Sequence, residues 1–171
     1  MVLTRQQRFA RNIKDNENRG LGGLAFITPG YSFPTHKQMD KFDKYKLPHD
    51  IDPALREVVI DLNDHGYTTG GSCQGHYKGS KGFISIYPNR SEVSLSVLKE
   101  RLGSSEDAKK LAKALIALGE SKKVVDPREV EQIIFKHGIK VTKYEPLIIN
   151  TTRKNLKIHH AFIFQAIPGG R

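Results

Sequence analysis

Twice along this chain an Asp-Pro pair opens an apolar-striped segment that a His-Gly pair closes: "DPALREVVIDLNDHGYTT" from Asp52 and "DPREVEQIIFKHGIKV" from Asp126. No other feature restricts the fold as much. Asp is a favoured N-cap, and Pro suits the first helical position because its missing N–H has no intrahelical partner to lose. Leu55, Val58, Val59 and Leu62 fall at i, i+3, i+4 and i+7, one face of a helix. In the second copy Glu129 stands where a capping box needs it. Gly66 and Gly138 stop the helices after His65 and His137, and an extended segment follows each. The Pro-to-His spacings are 12 and 10 residues. Convergent capping rules account for the match as well as an internal repeat does.

A further helix is expected over residues 105–118, capped by Ser104 or Ser105, with Glu106 and Asp107 at its positive end and Gly119 as its stop. The segment 91–103 can add a short one. "YTTG" and "GFISIY" read as strands on either side of a glycine loop, and "IKVTKYEPLII" and "NLKIHHAFIFQAI" as two more, joined by the turn-rich "NTTRK". Residues 3–16 read as a basic helix that "NENRGLGG" breaks, and "LAFITPGYSF" as a short strand. Residues 34–50 show no clean period and read as an irregular connection. The expectation is a basic N-terminal arm or helix (1–20) and a single α/β domain (21–171). That domain is a sandwich, with a mixed sheet of about five strands and three to four helices.

A chain of 171 residues can bury a core without staples. No apolar run reaches the roughly 18 residues that cross a bilayer, so no membrane role is expected. The first residues hold no apolar signal core, and one cysteine makes no internal disulfide, which points to the cytoplasm. The net charge is +10. Residues 1–50 carry 9 basic and 5 acidic side chains, residues 51–100 carry 5 and 6, and residues 101–171 carry 14 and 7. Basic flanks around a near-neutral middle attract polyanions: RNA, DNA or a phosphorylated ligand. Arg5, Arg8 and Arg11 in the arm, with Lys78 and Lys81 beside the glycine loop, are the candidate phosphate contacts.

That loop, "TTGGSCQGHYKGSKGF" (68–83), holds five glycines and the only cysteine. Gly70 to Gly75 has the spacing of a phosphate-binding P-loop, but His76 and Tyr77 stand where Lys and Ser/Thr belong. A catalytic thiol at Cys73 needs a nearby cation, which His76, Lys78 or Lys81 can supply. A metal site needs three or four ligands, and Cys73 with His76 gives two. A backbone-defined loop offers N–H groups to a ligand, with hydrogen bonds from Thr69, Ser72, Cys73, Gln74, Gly75 and His76. A long hairpin that uses glycine only for its turns explains the same residues. Asp61, Asp64 and His65 are the acid–base candidates, provided the fold brings them to the loop, and His76 is a catalytic candidate within it. His65 also serves as a plain helix stop.

The run "YTTGGSCQGH", after an amphipathic helix that ends in Gly66 and before a strand, resembles the wybutosine-synthesis tRNA methyltransferase family. The matching residues are Thr69, Ser72, Cys73 and Gly75. His76 stands in place of that family's arginine, and Gly70-Gly71 in place of a Thr-Ser segment. Short uncharacterised phage and bacterial proteins with a Ser-Cys-x-Gly-His motif are similar at His76 as well. The specific part spans about twenty residues; the order of later elements agrees in outline. The resemblance implies S-adenosylmethionine as cofactor and tRNA as substrate. Three functions follow from the sequence. The first is binding of RNA or a nucleotide-like ligand at the loop, the second an S-adenosylmethionine-dependent RNA-modifying enzyme, the third a structural part of a ribonucleoprotein or virus.

Overall fold

A computed structural model describes residues 33–75, 80–118, 120–152 and 155–167. The expected helix 3–16, nearly all of the expected strand up to Phe33, and Arg5, Arg8, Arg11, His76 and Lys78 lie outside these residues.

Residues 34–50 are not irregular: they contain helix α1 (His36–Lys44). Its start is a capping box, in which the Gln38 N–H donates to Thr35 Oγ1 at 3.2 Å and the Thr35 N–H to Gln38 Oε1 at 3.0 Å. Only Met39 and Phe42 are buried, too few apolar positions to give a readable period. A 3₁₀ turn at Pro53–Leu55 then leads into α2 (Arg56–Asp64). Asp52 does not cap it; its carboxylate is engaged elsewhere, as described below. Gly66 and Gly138 close their helices in the left-handed region, at φ +91° and +81°.

The sheet has four strands, not about five: β1 (Thr69–Cys73), β2 (Lys81–Ile86), β3 (Val141–Thr152) and β4 (Asn155–Gln165). Their order is β1-β2-β4-β3 and every pair is antiparallel, so the sheet is not mixed. The reason is local. Each Asp-Pro helix feeds a hairpin, and hairpin strands pair antiparallel without a crossover. The helices α3 (Leu95–Leu102), α4 (Ser105–Leu118) and α5 (Pro127–Lys136) bring the described α-helices to five, against the expected three to four. Asp126 caps α5 by accepting the Arg128 N–H at 3.1 Å. Glu129 completes no capping box there; it accepts the Tyr67 hydroxyl at 2.9 Å and pairs with Lys123. The two units α2-β1-β2 and α5-β3-β4 follow one plan. Their second strands pair at the centre of the sheet, and β1 and β3 form its edges.

Ile84, Ile86, Phe162 and Phe164 pack against Val58, Val59 and Leu62 of α2 and Val130, Ile133 and Ile134 of α5. Farther along β4, Ile158 packs with Leu98 of α3 and Ala108 and Leu111 of α4. Ile158, Phe162 and Phe164 alternate along one strand and so share a face. The described helices therefore all lie on one side of the sheet. Burying several such side chains at about 25 cal/mol per Å² of apolar surface is what holds the layers together.

Candidate nucleic-acid interface

The expected glycine loop is largely a strand. β1 runs through Gly70 and Gly71, with a bulge between Thr69 and Ser72. A Cβ on Gly70 would sit 3.2 Å from Tyr87 Cζ, so glycine here admits a ring against the backbone. Gly82 is tighter still, since a Cβ there would lie 2.1 Å from Phe164 Cε2. Asn63 on α2 fixes the start of the strand, its amide donating to Thr69 Oγ1 at 3.0 Å. Thr69 is thereby built into the fold, whereas Ser72 and Cys73 are only half-buried. Beside Thr69, Gly70, Gly71 and Ser72 lies a cavity of about 210 Å³ that Asp50, Leu47 and Ile51 also line.

The end of the strand is locked. Gln74 is buried, its N–H donates to Asp52 Oδ2 at 2.8 Å, and its Oε1 accepts the Ala54 N–H at 3.3 Å. Its Nε2 donates to the Ile167 carbonyl at 3.1 Å, and its own carbonyl accepts the Ile167 N–H at 2.9 Å. Gln74 is thus a staple between α2's entry and the end of β4, with its amide groups committed to the protein. Gly75 has φ +78°, and a Cβ there would approach Ala166 Cβ at 2.8 Å. Both a left-handed backbone and a close approach require glycine at that point.

The register defines one row across all four strands: Cys73 opposite Phe83, Phe83 opposite Ile163, Ile163 opposite Lys143. Residues directly opposite share a face, and this is the face away from the described helices. Phe83 is 39% exposed, an unusual position for a phenylalanine in a central strand. Lys81, two residues before it on the same face, is exposed. Lys143 is exposed as well, with its Nζ 2.8 Å from Glu145. The next row, Ser85 opposite Ala161, is buried, so the accessible part is the end nearest the β1–β2 turn. Phe83, Ile163 and Lys143 escaped the sequence reading. The alternation in "KGFISI" separates the faces, but only the register brings three strands into one row.

Asp61, Asp64 and His65 do not join the glycine strand. Asp61 Oδ2 meets His137 Nε2 at 2.8 Å and Lys136 Nζ at 3.6 Å, at the far end of α5. Burial pushes the Asp61 carboxyl up, but the His137 hydrogen bond and the charges of Lys136, His137 and His65 outweigh it and hold the group below its ordinary value. Asp64 takes Lys41 at 2.9 Å and the Tyr45 hydroxyl. That carboxylate in turn raises the Tyr45 phenol to about 12. His65 Nδ1 lies 2.8 Å from the Asp61 main-chain carbonyl and 3.1 Å from its carboxylate, which is the helix-closing role. Among the described residues no group of three or more His, Cys, Asp or Glu is placed to hold a metal ion. Cys73 Sγ meets the Gly75 N–H at 3.5 Å.

A third polar cluster is buried. His160 Nε2 lies 3.0 Å from Glu92 Oε1, and its Nδ1 lies 2.7 Å from the Tyr144 hydroxyl. The other Glu92 oxygen accepts the N–H groups of Asn89 and Val125 at 2.7 and 3.1 Å. Burial lowers the His160 pKa against the pull of Glu92, and Tyr144 is raised by burial and by Glu92. The chain of hydrogen bonds ties the 88–93 turn to β3 and β4.

No family model, curated protein or solved structure matches this chain. Its function is therefore argued from its own residues.

Proposed function

We propose that the protein binds RNA, as a single strand, on the sheet face away from the described helices, at the β1–β2 end. The observation that carries this is the exposed Phe83 at the centre of the row Cys73–Phe83–Ile163–Lys143. An aromatic ring on an open sheet face is a stacking platform for an unpaired base, worth about 1–3 kcal/mol per base. Lys81 and Lys143 flank the ring and meet phosphates. Lys143 gives up only an exposed pair with Glu145, which costs little. The +10 charge of the chain adds a long-range attraction that is independent of sequence. Ser72 and Cys73, both half-buried, border the same end of the face.

A nucleotide-like ligand is the second reading. It is supported by the cavity of about 210 Å³ against Thr69–Ser72, where a glycine backbone and Asp50 offer hydrogen-bonding groups. Methyl transfer from S-adenosylmethionine rests on the motif resemblance alone, because the acid–base candidates Asp61 and Asp64 line a different groove. Fluorescence anisotropy with a labelled single-stranded RNA and with the same sequence as a duplex tests the main reading. The single strand binds more tightly if Phe83 stacks on bases; equal or reversed preference overturns the stacking role.

A further inference from the structure

The groove between α1, α2 and the end of α5 has a volume of about 350 Å³ and is lined by Lys37, Lys41, Asp61, Asp64, Lys136 and His137 among others. It lies in the helical layer, on the opposite side of the sheet from Phe83. Its carboxylates are already matched. Asp64 holds Lys41 at 2.9 Å and the Tyr45 hydroxyl, Asp61 holds His137 at 2.8 Å, and Glu57 accepts the Gln38 amide at 2.7 Å. What remains is donor capacity. Among the described residues, Lys37 has no partner. Lys136 reaches Asp61 only at 3.6 Å, and its side chain is 70% exposed, so it is free to turn to another anion. His137 uses Nε2 for Asp61, and among the described residues nothing meets its Nδ1.

We propose that this groove binds a phosphate group, as the free ion or as part of a small phosphorylated molecule, between Lys37, Lys136 and His137. Asp61 is the positioning residue. The Asp61 carboxylate on Nε2 fixes the orientation of the ring and leaves Nδ1 as its second polar atom. Charge-assisted donors from two ammonium groups suit phosphate oxygens, and Nδ1 can accept from the P–OH of a singly protonated phosphate. A groove whose ion pairs serve only to join the helices would need neither spare ammonium group.

The test uses the full chain, with sodium phosphate titrated against sodium chloride at matched ionic strength, and reads the ring resonances of His137 by NMR. The expected result is a saturable shift of His137 with phosphate and none with chloride. Lys37→Met with Lys136→Met should weaken it about tenfold or more, the loss of two charge-assisted contacts. Both lysines are exposed, and unchanged amide spectra will show the variant folded. Phe83→Ala should leave the phosphate response intact, which separates this site from the RNA face. A non-saturating shift, an equal shift with chloride, or an unchanged affinity in the double variant overturns the proposal.

Discussion

Cys73 stands directly opposite Phe83 in the β1–β2 ladder, on the sheet face away from the described helices. The thiol is therefore a neighbour of the proposed stacking ring, and nothing beside it in the described residues acts as a base. Cys73→Ser should keep the fold and leave RNA affinity within about threefold, under 1 kcal/mol. Alkylation of Cys73 with a bulky maleimide should block the face and abolish binding. An anisotropy titration of both forms checks this. Wild-type affinity after complete alkylation would place the RNA elsewhere.

The lock at the end of β1 should matter for stability more than for contact with ligand. Gln74→Ala leaves the Ala54 N–H and the Ile167 carbonyl without their buried partner, which costs about 1–3 kcal/mol. Gly75→Ala combines a φ of +78° with a Cβ 2.8 Å from Ala166 and should cost at least about 1–2 kcal/mol. Gly82→Ala drives a methyl into the Phe164 ring and should cost about 1–3 kcal/mol. Urea unfolding measures all three, and a midpoint unchanged in any of them would contradict the packing described for that residue.

His160 gives the stability a pH dependence of known sign. Its folded pKa is lowered from 6.5 by burial, so below pH 6.5 the unfolded chain binds the extra proton first. Stability is therefore full above about pH 6.5 and falls as the pH drops toward the folded value. His160→Gln keeps a polar partner for Glu92 and should flatten that part of the profile while lowering overall stability. Thermal melts between pH 5 and 8 decide it. An identical slope in the variant would remove His160 as the cause.

RNA affinity should fall steeply between about 50 and 200 mM salt, as release of counterions requires. Each phosphate contact on a single strand contributes about 0.7 to the slope of log affinity against log salt, so Lys81→Met with Lys143→Met should reduce that slope by about 1.4. An unchanged slope would mean that these lysines meet no phosphate.

Helices with a strong cap and a full apolar stripe were legible in the sequence. The Asp-Pro and His-Gly marks place α2 and α5 because they are local chemistry, and "SSED" does the same for α4. α1 was not legible, because two buried residues over nine positions leave no period, and only the Thr35–Gln38 box marks it. The antiparallel sheet follows from hairpin pairing, which no single segment reveals. Asp52 shows how a local rule yields to tertiary structure, as the carboxylate expected to cap a helix instead holds Gln74. The glycine segment was recognised as unusual, and Gly70 and Gly82 were read at the ends of its strands, but not as positions that admit the rings of Tyr87 and Phe164. Asp61 and His65 were read as acid–base candidates for the loop, but Asp61 meets His137, 76 residues farther along the chain, and belongs to a different groove.

The most direct measurement of the central claim is the affinity of Phe83→Ala for a single-stranded RNA at low salt, beside its unfolding curve. The ring is on the exposed face, so the variant should stay folded. Loss of one base stack should weaken binding by about 1–3 kcal/mol, a factor of about 5 to 150. Phe83→Trp should restore it, because any large aromatic face stacks. Wild-type affinity in a folded Phe83→Ala protein would contradict the assignment of this face.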